Sequence, residues 1–295
     1  MDLVTRVPQC PRVGETMLGK SFRTVPGGKG ANQAVAAARL GAKTLFAGSV
    51  GDDAFGDALL DSMRGAGVDV EPVRRSAGIA SGTAVIFVAD TGQNMIVVTP
   101  GANHEVTPAF VAEIEPLIAS VDGILMQLEI PVETVEAALE TSRRVGTFSV
   151  FDAGLAVRVP ESLLRNADLV SPNEVEAEAM SGVAVTDVES GRRAAEALLD
   201  MGAREVVIKL GANGALHMDA AGWFHAPAFS VKAIDTVAAG DAFTAALCIG
   251  CCKGGDRREA VRFANATGAL ATTVEGAQGA MPTREAVEAF LREQA

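Results

Sequence analysis

Apolar positions along this chain change spacing as it proceeds, and the changes mark out its elements. Residues 3–7 and 17–24 alternate in the manner of short strands, with a Pro-rich bend between them. The glycines of PGGKG end the second strand. Residues 32–40 then form an alanine-rich helix, stopped by Gly41 at the position after its cap. TLFAGSVG reads as a buried strand and residues 54–64 as a helix. GTAVIFVADTGQNMIVVTPG reads as a hairpin turning at Asp90-Thr91-Gly92. Beyond it the rhythm is regular. Helices are expected at 108–120, 132–145, 174–181 and 188–201, and strands at 123–128, 147–151, 168–171 and 205–210. Helices close the chain after Asp241.

Strands alternating with helices predict an α/β fold with a mainly parallel sheet covered on both faces. The early strand pair and the hairpin do not share that rhythm. They are expected to form a small β lid, from about 2–26 and 79–99, as an outgrowth of one domain spanning 1–295. No internal repeat or long linker divides the chain.

Composition narrows the possibilities. With 48% hydrophobic residues, 31 Gly and 12 Pro, the chain is globular rather than disordered or fibrous. One Trp, no Tyr and 12 Phe leave little for stacking a row of bases, and a net charge of −12 leaves no basic face for nucleic acid. Acidity does not exclude a phosphate ligand, because backbone N–H groups at a helix start can hold one. Cys248, Cys251 and Cys252 fall near one another in a helical stretch, with Cys10 far away. Small apolar packing of reduced thiols, and hence a cytoplasmic protein, explains them better than a metal site. His104, His217 and His225 are scattered. No stretch reads as a membrane span or a signal peptide.

DTVAAGDAFTAAL, residues 235–247, places two acids around small residues directly before an apolar helix. The small residues Ala238, Ala239 and Gly240 allow a ligand to approach a helix start, where N–H groups are unpaired and partial charge is positive. Asp241 has two readings there. It can cap the helix, or it can take a proton from a hydroxyl that attacks a phosphoryl group held by those N–H groups. Asp235 can cap the turn or orient carbonyls around a cation. GGKGANQA (27–34) is a second glycine-rich strand-to-helix turn. SPNEVEAE (171–178) sets Asn173, Glu174 and Glu176 at a helix start, which suits the helix dipole and also water-mediated Mg²⁺. KLGANG (209–214) ends a strand. All of these stretches but GGKGANQA are expected where main-sheet strands end, the edge at which open α/β sheets bind ligands.

In this order, these stretches resemble the PfkB (ribokinase-like) carbohydrate kinases. GGKGANQAVAAARLGA followed by GSVGDDAFG is similar to the N-terminal signature of that family, and DTVAAGDAF to its C-terminal one; MQLE, SPNE, KLGANG and GAQGAMP fall in the expected order. The resemblance implies a three-layer α/β sandwich and attack of a sugar 5-hydroxyl, most of all that of D-ribose, on the γ-phosphate of ATP. It implies Asp241 as general base and Ala238, Ala239, Gly240 and Asp241 as the backbone anion hole. It implies Asp2, Gly28, Lys29, Gly30, Ala31, Asn32 and Glu129 at the sugar. At the nucleotide it implies Asn173, Lys209, Leu210, Gly211, Ala212, Asn213, Gly214, Gly240 and Asn265. Glu176 is linked to Mg²⁺ indirectly. K⁺ is implied at Asp235, Val237, Ala271, Val274, Gly276 and Ala280. Two departures stand out. The family opens on a strand ending G-S-x-N-x-D, of which only Met1-Asp2 is matched, so an uncovered strand edge is expected. FDAGLA (151–156) stands where an N-P-A-P-like loop is usual. Other sugars (deoxyribose, a ketohexose) and a non-catalytic sugar binder stay open; few aromatics weigh against a nucleoside. No G-x-G-x-x-G with a later acid points to a dehydrogenase. The lid's apolar face suggests a homodimer.

Overall fold

The computed structural model describes residues 1–294. Its first strands are β1 (Asp2–Val7), β2 (Ser21–Val25), β3 (Gly48–Gly51), β4 (Val73–Ser76), β5 (Thr83–Ala89) and β6 (Asn94–Thr99). They are followed by β7 (Gly123–Met126), β8 (Phe148–Phe151), β9 (Leu169–Val170), β10 (Glu205–Lys209), β11 (Ala215–Asp219) and β12 (Gly222–Ala226). The main sheet of the described residues has the order β12-β11-β10-β9-β8-β7. Strands β7 to β10 are parallel, and β11 and β12 are added antiparallel.

Alternation along β10 shows how the layers form. Val206 and Ile208 pack with Leu139, Leu163 and Leu198 of the helices on one face; Val207 packs with Phe243, Leu247 and Val261 on the other. All of these are almost wholly buried. Both faces are therefore apolar, as a parallel sheet between helices requires. The result is the expected ribokinase-like three-layer α/β arrangement.

A second sheet has the order β2-β1-β5-β6, with β1 and β5 parallel and the other pairs antiparallel. Pairing of Asp2 with Val25 brings the start of β1 beside the end of β2, and so beside the glycine turn that follows. Strands β3 and β4 pair separately. Both β3 and β7 are paired along one side, as an uncovered sheet edge implies. A cavity of about 1720 Å³ runs from the glycine turn into the space between them, past Ala34, Ala37, Leu125 and Ala245.

Several boundaries differ from expectation. The first helix begins at Lys29, three residues before the expected start. The 108–120 helix is two short ones, Pro108–Glu113 and Glu115–Ile118. Pro116 has no N–H to give the preceding turn, and the chain restarts with it in a new first turn. The 17–24 strand begins only at Ser21. Strands β4, β11 and β12 and the Glu161–Asn166 helix carry no strong periodic signal. DTVAAGDAF does not directly follow a main-sheet strand; irregular chain separates it from the end of β12 at Ala226.

Candidate active site

Ala238 has φ 58°, the single non-glycine residue with positive φ among those described. It is the N-cap of the helix Ala239–Cys251, and no side chain caps that helix. Ala239 N donates to Thr236 O at 3.3 Å, which leaves the N–H groups of Gly240 and Asp241 for another acceptor. An alanine in this conformation costs about 1 kcal/mol, which is characteristic of a backbone held for a purpose beyond packing. Asp241 follows in the first turn, 5% exposed. It does not cap its own helix. Instead its Oδ2 accepts from Asn32 Nδ2 at 3.0 Å and its Oδ1 from Gln33 Nε2 at 3.2 Å.

Both amides come from the helix Lys29–Arg39, which starts in the glycine turn. Gly28 has φ 96°, and Lys29 N donates to Glu129 Oε2 at 2.8 Å. A Cβ at Gly27 would lie 2.3 Å from the Asp2 carboxylate, so glycine is required for that approach. Burial raises the pKa of both Asp2 and Glu129. Asn32 Oδ1 is buried without a partner among the described residues. Acceptors of this kind, facing a cavity, suit the hydroxyl groups of a small polyol.

Desolvation pushes the Asp241 carboxyl up to about 6; Lys29 opposes the shift, and Asp152 adds to it. Burial works against the charge on Lys29, yet Asp241, Asp152, Glu176 and Glu129 outweigh it and raise its pKa. Gly154 in the 151–156 loop lets the Lys29 stem pass, since a Cβ there would lie 2.5 Å from Lys29 Cδ. A carboxylate poised near neutrality, beside a lysine and the unpaired N–H groups of Gly240 and Asp241, has the groups that proton removal and phosphoryl transfer require.

Asn173 and Glu176 engage each other. Glu176 N donates to Asn173 Oδ1 and Asn173 N to Glu176 Oε2, each at 2.9 Å, as a capping box for the helix Glu174–Ser181. One oxygen of each pair's side chains is committed, and Glu176 Oε1 is left to accept from water around a cation. Asn173 bridges to Lys209, which joins SPNE to the 209–214 turn. Gly211–Asn213 form a single 3₁₀ turn, and Gly214 follows at φ 85°. Asn265 Nδ2 donates to Ala226 O at 3.1 Å and Pro227 O at 3.3 Å, holding the chain after β12.

Asp235 accepts from Val237 N at 3.0 Å and Gly276 N at 2.9 Å. It thereby ties the loop ahead of Ala238 to the turn at 273–277. Ala271 ends the helix Arg257–Ala271, Val274 is exposed, and Ala280 closes a 3₁₀ turn. Among the described residues, no hydrogen bond joins those three to Asp235.

Sequence reasoning missed Gln33, Gln127, Asp152 and Thr244. Gln127 Nε2 donates to Gln33 Oε1, and Thr244 Oγ1 donates to Asp152 Oδ2 at 3.1 Å. Gln33 and Thr244 were detectable in principle, one residue beyond the glycine turn and one helical turn beyond Asp241.

Residues 1–284 match the pfkB family carbohydrate kinase model. A ribokinase of Haemophilus influenzae is 38% identical over 290 residues, 98% of this chain and 95% of that protein. A deoxyribokinase of Salmonella typhi is 34% identical over 292 residues, 99% of this chain and 95% of that protein. An Arabidopsis thaliana ribokinase structure, complexed with ribose and ATP, superposes with a TM-score of 0.93 at 30% identity, covering 99% of this chain and 95% of that one.

Proposed function

Since this chain belongs to the pfkB family and is an ATP-dependent carbohydrate kinase, we propose that it converts a pentose, D-ribose before its near relatives, to the 5-phosphate. The observation that carries this reading is the buried Asp241 carboxylate beside an uncapped helix start, with Asn32 and the Gly28–Lys29 turn opposite. The sugar lies against Asp2, Gly28 to Asn32 and Glu129. Its 5-hydroxyl reaches Asp241, which accepts the proton as the oxygen attacks the γ-phosphorus. The bond to the β-phosphate oxygen breaks and ADP leaves. The N–H groups of Ala238 to Asp241 hold the charge that spreads over the transferring oxygens. ATP lies across Asn173 and residues 209–214, toward Asn265. Mg²⁺, when bound, neutralises phosphate charge, and Glu176 would hold it through water. K⁺ would sit at Asp235, Val237, Ala271, Val274, Gly276 and Ala280 and shape the loop that carries the anion hole.

The name of the Salmonella relative supports keeping 2-deoxyribose as the second reading, because one hydroxyl contact can decide between the two sugars. ADP release with Mg²⁺ and K⁺ tests both on D-ribose, 2-deoxyribose, fructose and adenosine. The expected order has D-ribose first in kcat/KM. Preference for deoxyribose would favour the second reading; no ADP from any sugar would overturn both.

The protein is further proposed to be a cytoplasmic homodimer joined through the lid. No helix among the described residues is long and apolar enough to cross a membrane. Met95 and Val97 of β6, with Phe22 of β2, are exposed apolar side chains on one face of the sheet. Such a patch is better buried against its own copy than left in water. Sedimentation at micromolar concentration should give twice the mass of 30.3 kDa. A monomeric mass would sink the proposal.

A further inference from the structure

Asp152 follows β8 and is 2% exposed, yet it is a charged side chain with three donors around it. Lys209 Nζ donates to its Oδ1 at 3.1 Å, and Thr244 Oγ1 and Gln33 Nε2 donate to its Oδ2 at 3.1 and 2.9 Å. The three donors come from β10, from the Ala239–Cys251 helix and from the Lys29–Arg39 helix. Gln33 Nε2 also donates to Asp241 Oδ1 at 3.2 Å, so one amide joins the two carboxylates. Lys209 additionally donates to Thr244 Oγ1 at 3.2 Å.

A buried ion pair of this kind is a poor means of gaining stability, because desolvating both charges consumes most of their attraction. Its placement suits another purpose. Thr244 lies one helical turn from Asp241, and Gln33 touches it directly. We propose that Asp152, held by Lys209, is a positioning residue for the phosphoryl-transfer step: through Gln33 and Thr244 it aims the Asp241 carboxylate at the attacking hydroxyl. The inference rests on Asp241 being the base.

The charged groups around Asp241 are few. Lys29 faces it from its own helix, Asp152 faces it from the end of β8, and Lys209 stands behind Asp152. Glu176 and Glu129 face Lys29. Removing the negative charge of Asp152 leaves Lys29 to favour the ionised form, so Asp241 should lose its proton at lower pH.

The test is the pH dependence of kcat/KM for D-ribose in wild type, Asp152→Asn and the charge-neutral double variant Asp152→Asn/Lys209→Gln. Asp152→Asn should move the acid limb down by about one pH unit. It should also lower kcat severalfold above the limb, with the sugar KM nearly unchanged. If Asp152→Asn does not fold, the double variant, which leaves no unpaired buried charge, should still show a lower limb. An unmoved limb in a folded variant overturns the inference, as does an equal loss of rate at every pH. Failure of the underlying reading is distinguishable. In that case Asp241→Asn would keep its activity or wild type would show no acid limb, whatever Asp152 does.

Discussion

Replacing Asp241 by Asn is expected to lower kcat for sugar phosphorylation by about 10²–10⁴-fold, the span usual for loss of a positioned general base. The sugar KM should change little, because Asp2, Glu129 and the Gly28–Lys29 turn remain. The fold should survive. Asn32 Oδ1 is free of partners, so its amide can turn to accept from the new amide at 241. Stability is expected to rise. Burial pushes Asp241 up to about 6 from an ordinary value of 3.8, so the folded chain binds this proton more tightly than the unfolded chain. Its contribution favours folding below about pH 3.8 and is lost as pH rises through about 6. At pH 7.5 the ionised acid is therefore held at a cost of about 2–3 kcal/mol, which Asn removes. Denaturant unfolding at pH 7.5 and at pH 4 checks the sign: the variant's advantage should be present at the first and small at the second. In wild type kcat/KM should climb through about pH 6 before levelling. Full activity in Asp241→Asn would exclude it as the base.

Gly214→Ala is expected to cause the largest loss of stability from a single methyl group. Gly214 has φ 85° and ψ −130°, a combination essentially closed to residues with a Cβ. The added carbon would lie 2.1 Å from Ala226 O and 2.6 Å from Ala228 N, both backbone atoms that cannot swing aside. Strain and overlap together should cost about 3–5 kcal/mol. The melting temperature should then fall by about 5–8 °C. The displacement would pass to Asn265, which bonds to Ala226 O and Pro227 O, and to the 209–214 turn, so the KM for ATP should rise. Gly65→Ala is the control, at a helical position without positive φ and with nothing within 4 Å of the new carbon. It should be neutral or slightly stabilising. Equal melting temperatures for the two variants would mean that the turn yields where the backbone contacts say it cannot.

Much of this architecture was legible along the chain because it is written in local backbone requirements. Alternating β-rich and helical periods gave the layers. Glycine at 28 and small residues at 238–240 marked where a chain must bend or be approached, and an acid one position later marked the helix start. Boundaries slipped where local signals compete: Pro116 split one helix, and the β11–β12 hairpin has no strong turn dipeptide. The family resemblance named Asp241, and its neighbours in sequence followed. What the linear order could not contain is the setting of that acid. Gln33 lies 208 residues from Asp241 and 119 from Asp152, and Lys209 lies 57 from Asp152. None of these side chains announces a partner, because a glutamine or lysine carries the same local propensity on a surface as in a core. Burial and charge proximity set the proton affinity of Asp241, and both are properties of the packed layers. The order of residues determined which backbone turns could form; only their assembly around one cavity decided which carboxylate is buried and holds its proton to higher pH.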